Sequence, residues 1–371
     1  MRATLRILFA ALLLTGGVFG FEMLRDAGLF RSVEGVRPGP CRVVSGVPGP
    51  EDIVWDPDSG YAWISSLDRR GAFEGHPTPG AIFRYRPGHP DSLVNLTPDA
   101  GIEFRPHGIS LVTGPDGAKR LFVVSHPGGG RFDRPKPWPA ERPRHTIEIF
   151  DLVDGELVHV RTHADAALVN PNDVAGVDFE RFYVTNDHGA ASRAARRIED
   201  WLRRPWANVV YFDGTRFSVA ADRLTNPNGI AVSPDRGTVY VAETAPNRLR
   251  ILDRDPTGGG LTERGRRELD FGADNVEVDP LTGEVWLAGH PRLLSVLPHA
   301  RDATRPSPSI AVRIAPGGND EGRTVFSDAG ELLSTASVAV PAGRHLLIGA
   351  FMSPHFVECE LTAPEGSIPD R

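Results

Sequence analysis

One motif recurs along the chain and restricts its fold more than any other feature. Five segments open on a polar pair and then turn apolar: Pro50-Glu51-Asp52-Ile53-Val54-Trp55, Pro106-His107-Gly108-Ile109-Ser110-Leu111, Pro171-Asn172-Asp173-Val174-Ala175-Gly176, Pro227-Asn228-Gly229-Ile230-Ala231-Val232 and Ala273-Asp274-Asn275-Val276-Glu277-Val278. They start at residues 50, 106, 171, 227 and 273, so the interval is 46 to 65 residues. Most run through a turn into a second β-rich stretch. Ser233-Pro234-Asp235-Arg236-Gly237 leads into Thr238-Val239-Tyr240-Val241, and Asp279-Pro280-Leu281-Thr282-Gly283 into Glu284-Val285-Trp286-Leu287. Turn residues between β-branched or aromatic runs specify hairpins. Third and fourth runs follow, as at Ala81 to Tyr85 and Thr146 to Phe150. A four-stranded unit of this period is a propeller blade. A sixth unit with a degenerate opening is expected from Gly330 to Phe351. The expectation is an all-β, six-bladed β-propeller over residues 41–361, after a signal or anchor segment and linker (1–40) and before a tail (362–371). A β-sandwich does not explain one opening repeated five times.

The innermost strand of each propeller blade lines the central channel. The polar pairs would therefore gather near the axis: Glu51, Asp52, His107, Asn172, Asp173, Asn228, Asp274 and Asn275. Crowded carboxylates repel one another and lose hydration unless a cation joins them. Calcium accepts about six to eight oxygens of this kind, whereas zinc favours the Cys and His in which the set is poor. Taken singly, each of these residues is a common turn cap, and only their recurrence points to a metal. Neighbours on an extended strand point opposite ways. Alternation thus implies two stacked ions, one fed by Glu51 and Asn172 and the other by Asp52 and Asp173. It leaves Asp274 and Asn275 unassigned.

The chain's ends point to export. Arg2 and Arg6 precede an uncharged run from Ile7 to Phe21, which reads as a cleaved signal or a retained anchor. The run is short of the ~20 residues that a spanning helix needs. The only cysteines, Cys41 and Cys359, sit at the two ends of the presumed folded body. In an oxidising compartment they are expected to pair and to tie the first strand to the last. A net charge of −7 argues against a nucleic-acid partner. One helical pattern interrupts the strands at about 190–204, where Ala191, Ala194, Ala195, Ile198, Trp201 and Leu202 recur at helical spacing among five arginines. It reads either as a solvated helix lying on the propeller or as a lid that also touches a membrane surface.

Several short motifs, in order, resemble the serum paraoxonase/arylesterase family. They are Glu51-Asp52, Pro106-His107-Gly108-Ile109-Ser110, Val124-Ser125-His126-Pro127, Asn172-Asp173, Thr185-Asn186-Asp187-His188, Asn228-Gly229-Ile230, Asp274-Asn275 and Gly289-His290-Pro291. Each is weak alone; their order and spacing make the resemblance specific, and it spans nearly the whole chain. It implies a six-bladed propeller with two calcium ions and a ring-closing disulfide. It implies a catalytic calcium held by Glu51, Asn172, Asn228, Asp274 and Asn275, and a structural calcium held by Asp52, Asp173 and the Ile109 carbonyl. It also implies lactonase and arylesterase activity, in some members with organophosphate hydrolysis, and an apolar N-terminus often kept as an anchor. Two features depart from the pattern: a longer Pro-, Gly- and Arg-rich stretch at 128–143, and no clear match to the family's pocket-lining apolar residues.

The chemistry so implied is metal-assisted ester hydrolysis. Calcium acidifies bound water far less than zinc does, so a protein base is required. His107 is the candidate base, and His126, on the neighbouring run of one hairpin, is its orienting and relaying partner. Asp187, His188 and His290 are candidates for orienting substrate. Ser110 and Ser125 lack a nucleophile elbow. The competing readings are a gluconolactonase-like sugar lactonase with one metal, a non-enzymatic scaffold with structural calcium, and a strictosidine-synthase-like condensing enzyme. Oligomeric state and natural substrate are not written in the sequence.

Overall fold

The computed structural model describes residues 16–18, 20–128, 144–190, 192–318 and 320–362. The first half of the apolar N-terminal run, nearly all of the 128–143 stretch and the tail after Thr362 lie outside the described residues.

Twenty-four strands form six four-stranded antiparallel sheets. The first comprises β2 (Pro50–Asp56), β3 (Tyr61–Ser66), β4 (Ala81–Tyr85) and β5 (Val94–Asn95), and the second β6 (Pro106–Thr113), β7 (Lys119–Ser125), β8 (Thr146–Val153) and β9 (Glu156–His163). The third comprises β10 (Pro171–Gly176), β11 (Phe182–Asn186), β12 (Ala207–Phe212) and β13 (Phe217–Leu224), and the fourth β14 (Pro227–Val232), β15 (Thr238–Glu243), β16 (Arg248–Arg254) and β17 (Leu261–Glu268). The fifth holds β18 (Gly272–Val278), β19 (Val285–His290), β20 (Ser309–Ile314) and β21 (Arg323–Asp328). The sixth takes β22 (Ala336–Ala342), β23 (His345–Ala350) and β24 (His355–Glu360) from one end of the chain and β1 (Cys41–Ser45) from the other. The six-bladed propeller is thus as expected. The sixth unit starts later than Gly330, at Ala336, because Asp328 first gathers the N–H groups of Gly330, Leu332 and Leu333 into a turn.

The inner strands close a ring in the order β2, β6, β10, β14, β18, β22 and back to β2. Side chains alternate across each strand, so each sheet has two faces to bury. Six buried apolar clusters fill the spaces between neighbouring sheets, one per junction. The ring is sealed where β1 pairs with β24, with Cys41 directly opposite Cys359 and bonded to it. Glu358 reinforces the seal. Its carboxylate accepts from Arg42 Nε (2.8 Å), the Tyr85 hydroxyl (2.6 Å) and the Gly88 N–H (2.6 Å), and so joins β1 and the first sheet to β24.

Helices α1 (Arg69–Glu74), α2 (Arg193–Trp201) and α3 (Leu293–Arg301) decorate the ends of the sheets. Asp68 caps α1 by accepting from Gly71 N at 2.8 Å, and Gly75, at φ +94°, ends it. The helical pattern at 190–204 is confirmed as α2 but shorter, starting after the Ser192 cap. Its orientation is not what an apolar stripe predicts. Glu199 is buried, accepting from the Gly189 and Ala190 N–H groups, while Ile198, Trp201 and Leu202 face solvent. Among the described residues, no helix is long and apolar enough to cross a membrane. The segment after the N-terminal run lies over the same end as α2 and α3. Asp26 pairs with Arg203 at 2.8 Å, and the Arg31 carbonyl accepts from Arg292 Nε at 2.7 Å.

Candidate active site and metal centre

The five polar openings lie at the start of their inner strands, and the register of all six inner strands slips at that end. A bulge re-aims side chains and leaves one residue out of the ladder. The Asp52 N–H turns to the Ser65 hydroxyl (3.1 Å), and the Asp173 N–H to the Thr185 hydroxyl (3.1 Å). Two glycines allow the inner strands to close on the axis. A Cβ at Gly108 would lie 2.2 Å from Asp173 Oδ1, and one at Gly229 would lie 2.5 Å from Asn275 Cα.

A cavity of about 330 Å³ opens at this end of the channel. Glu51, Asn172, Asn228 and Asp274 line it together, from four different blades. Asn275 is buried beside them, its amide donating to Glu51 Oε1 at 3.1 Å. Four buried oxygens of this group accept no hydrogen bond: Glu51 Oε2, Asn172 Oδ1, Asn228 Oδ1 and Asn275 Oδ1. Leaving a buried acceptor unpaired costs about 1–3 kcal/mol. Three of these residues, Glu51, Asn172 and Asn228, line one cavity, which is a strong demand for a cation, and a donor set made only of oxygen suits a hard one. Burial, and next the charge of Asp52, push the Glu51 carboxyl well above the usual range, with Arg69 opposing and Asp274 adding. A nearby cation relieves such a shift.

Asp52 and Asp173 are bound differently. Asp52 accepts from Ile53 N (2.9 Å) and, across the blade junction, from Ile109 N (2.7 Å). Asp173 accepts from Val174 N (2.7 Å) and from Ile230 N (2.7 Å) of the next blade. Each carboxylate staples two inner strands, and the structure brings Ile109 to Asp52 through its N–H. Burial raises both pKa values; main-chain N–H bonds oppose this, and their acidic neighbours add to it.

On one side of the cavity three histidines form a chain. His107 Nδ1 lies 3.3 Å from His126 Nε2, and His126 Nδ1 lies 2.9 Å from His145 Nδ1. The β6–β7 hairpin places the first two as the sequence implies, and His145 joins them from just before β8. His107 Nε2 faces Glu51 Oε1 at 3.6 Å. Burial first, then the Arg69 guanidinium, lower the His107 pKa to about 3, against a pull upward from Asp187. His107 is thus a neutral imidazole across the physiological range.

The remaining sequence candidates divide. Asp187 and His290 line the cavity, while His188 lies behind Asp187. His290 Nε2 is 3.0 Å from Asp274 Oδ2, so it orients a member of the oxygen cluster. His188 bridges Asp187 (2.8 Å) and Asp200 of α2 (2.8 Å). Burial alone would lower its pKa, but Asp187 and then Asp200 outweigh that and lift it to about 10. Sequence reasoning missed His145, Arg69 and the apolar wall of Leu67, Leu293, Val296, Leu297 and Phe351. None of these belongs to the repeated opening. Only the proximity of Leu67 and Arg69 to the end of β3 was available as a signal.

A family model for arylesterase matches residues 95–361. The chain belongs to the arylesterase family. This arylesterase is 32% identical over 343 residues to serum paraoxonase/arylesterase 2 of Rattus norvegicus, covering 89% of this chain and 91% of that one. It is 31% identical over 333 residues to serum paraoxonase/arylesterase 1 of Homo sapiens, covering 86% and 88%. Family membership makes it an ester-hydrolysing enzyme. Among solved structures it is similar to the Malassezia sympodialis allergen Mala s 1, with TM-score 0.56 and 15% identity over 89% of this chain and 98% of that one. It is also similar to a luciferin-regenerating enzyme, with TM-score 0.51 and 10% identity over 88% and 99%. At these identities the likeness shows the fold alone.

Proposed function

We propose that this arylesterase hydrolyses lactones and aryl esters with calcium held by Glu51, Asn172, Asn228, Asp274 and Asn275. The observation that carries this reading is that Glu51, Asn172 and Asn228, each with an unpaired buried oxygen, line one cavity together with Asp274 and His107. Bound there, calcium supplies a fixed positive charge to the substrate oxygen on which negative charge develops. His107 takes the proton of the attacking water at Nε2 and passes its Nδ1 proton to His126 Nε2. His126 in turn gives its Nδ1 proton to His145 Nδ1. The relay matters because a group as weakly basic as His107 is a poor place to leave a proton. Asn275 keeps Glu51 oriented, and His290 does the same for Asp274. Asp187, fixed by His188, is placed to orient the substrate.

A second, structural calcium at Asp52, Asp173 and the Ile109 carbonyl completes the proposal, with the strand openings of two blades as its support. Metal analysis should then return two calcium ions per chain. One per chain would leave Asp52 and Asp173 as main-chain fasteners alone. The disulfide fits export to an oxidising compartment. Exposed Phe21, Leu24 and Phe30, beside exposed Trp201 and Leu202, support docking of this end on a lipid surface.

The test is turnover of phenyl acetate and δ-valerolactone. Both activities should vanish with a calcium chelator and return with added calcium. Undiminished turnover after complete calcium removal would falsify the metal's role.

A further inference from the structure

One residue of the cavity wall holds a backbone conformation that its own sequence disfavours. Asn226 lines the cavity and stands at φ +48°. Positive φ is uncommon outside glycine, and a proline presses the residue before it toward extended conformations. Pro227 follows Asn226 directly. Such strain persists only where the surrounding structure enforces it, and it gathers at functional sites. The enforcement comes from both sides of the β14–β15 hairpin. The Thr225 N–H donates to Glu243 Oε1 at 2.6 Å, and the Asn226 carbonyl accepts from the Thr244 N–H at 3.0 Å. Glu243 is fully buried and is itself gripped by Arg248 and Arg250.

The backbone of Asn226 is thus pinned while its side chain is left over. Asn226 is partly exposed, and among the described residues no hydrogen bond reaches its amide. Asn170 and Thr244, which line the same cavity, are engaged: the Asn170 amide donates to Asp187, and the Thr244 hydroxyl to the Ala273 carbonyl at 2.6 Å. Two residues of chain span at most about 7 Å, so Asn226 stands within a small ring's breadth of Asn228. We propose that Asn226 is a specificity-determining residue whose amide hydrogen-bonds a hydroxyl on the ring of a lactone. The proposal rests on the lactone-hydrolysis reading and names the substrate class of that site. An amide carries both donors and an acceptor, and so does a hydroxyl, so each satisfies the other. A site built to hydrogen-bond a substrate hydroxyl discriminates against the analogue that lacks it.

The test compares γ-butyrolactone with its α-hydroxy form on the full chain with calcium added. The wild type should favour the hydroxylated lactone in kcat/KM. Asn226→Gly removes the amide at a position where glycine takes the positive φ without strain. It should lower the ratio of hydroxylated to plain lactone about 3- to 10-fold, mainly through KM, the loss expected for one neutral hydrogen bond. A ratio unchanged in Asn226→Gly overturns the proposal, and so does a wild-type ratio at or below one, which is read without any variant. If neither lactone is turned over, the lactone-hydrolysis reading fails on its own. NMR titration with γ-butyrolactam and α-hydroxy-γ-butyrolactam then decides Asn226. Tighter binding of the hydroxylated lactam that Asn226→Gly abolishes supports the proposal, and any other outcome overturns it.

Discussion

His126 stands between two other imidazoles, and this position defines the chemistry expected of each. His107 meets the cavity, while His145 closes the chain behind. Replacing His107 with Gln should lower kcat by about 10²- to 10⁴-fold, the usual worth of a general base, with folding preserved. Replacing His145 with Gln should lower kcat less and leave KM unchanged; a loss confined to KM would remove it from the relay. His107 and His126 were legible because each sits at a recognisable strand end of one hairpin. His145 was not, because it follows a long stretch without the repeated pattern. Arg69 was hidden for a similar reason: a buried arginine leaves no periodic trace in a sequence.

The inner strands show what alternation can and cannot predict. The repeated openings were readable, and so was their convergence on an axis. The slip in register between Ala273 and Val276 was not, because a bulge depends on the partner strand as much as on its own residues. Asp52 is tied to two successive blades through main-chain N–H groups, so Asp52→Asn should destabilise the fold by about 1–3 kcal/mol, read as a lower melting temperature. A purely kinetic effect would contradict that role. At α2, His188 clamps the helix to the end of β11. Its folded pKa, near 10, lies above its ordinary value of about 6.5. The clamp's contribution is therefore full below about pH 6.5 and is lost as pH rises through about 10. The gap in melting temperature between wild type and His188→Gln should be wide at pH 6 and narrow toward pH 10; a constant gap would rule out the charged clamp.

At the scale of the whole molecule, a propeller is a ring whose last blade needs strands from both ends of the chain. The two cysteines made that closure readable before any strand was paired. The supporting Glu358 cluster was not readable, because its partners are scattered over three strands and a turn. The disulfide spans a sequence separation of 318 residues. Chain entropy alone assigns such a link on the order of 5 kcal/mol. Cys41→Ser with Cys359→Ser should thus unfold at markedly lower denaturant than the oxidised protein, and an unchanged midpoint would show that strand pairing alone holds the ring.

Oxygens from four blades are proposed to surround one calcium ion beside His107. A high-resolution crystal structure of the protein grown with calcium measures this directly. A strong peak is expected about 2.3–2.6 Å from Glu51 Oε2, Asn172 Oδ1, Asn228 Oδ1 and Asn275 Oδ1, with Asp274 completing the shell. An active, calcium-replete crystal in which those four oxygens touch only water would contradict it.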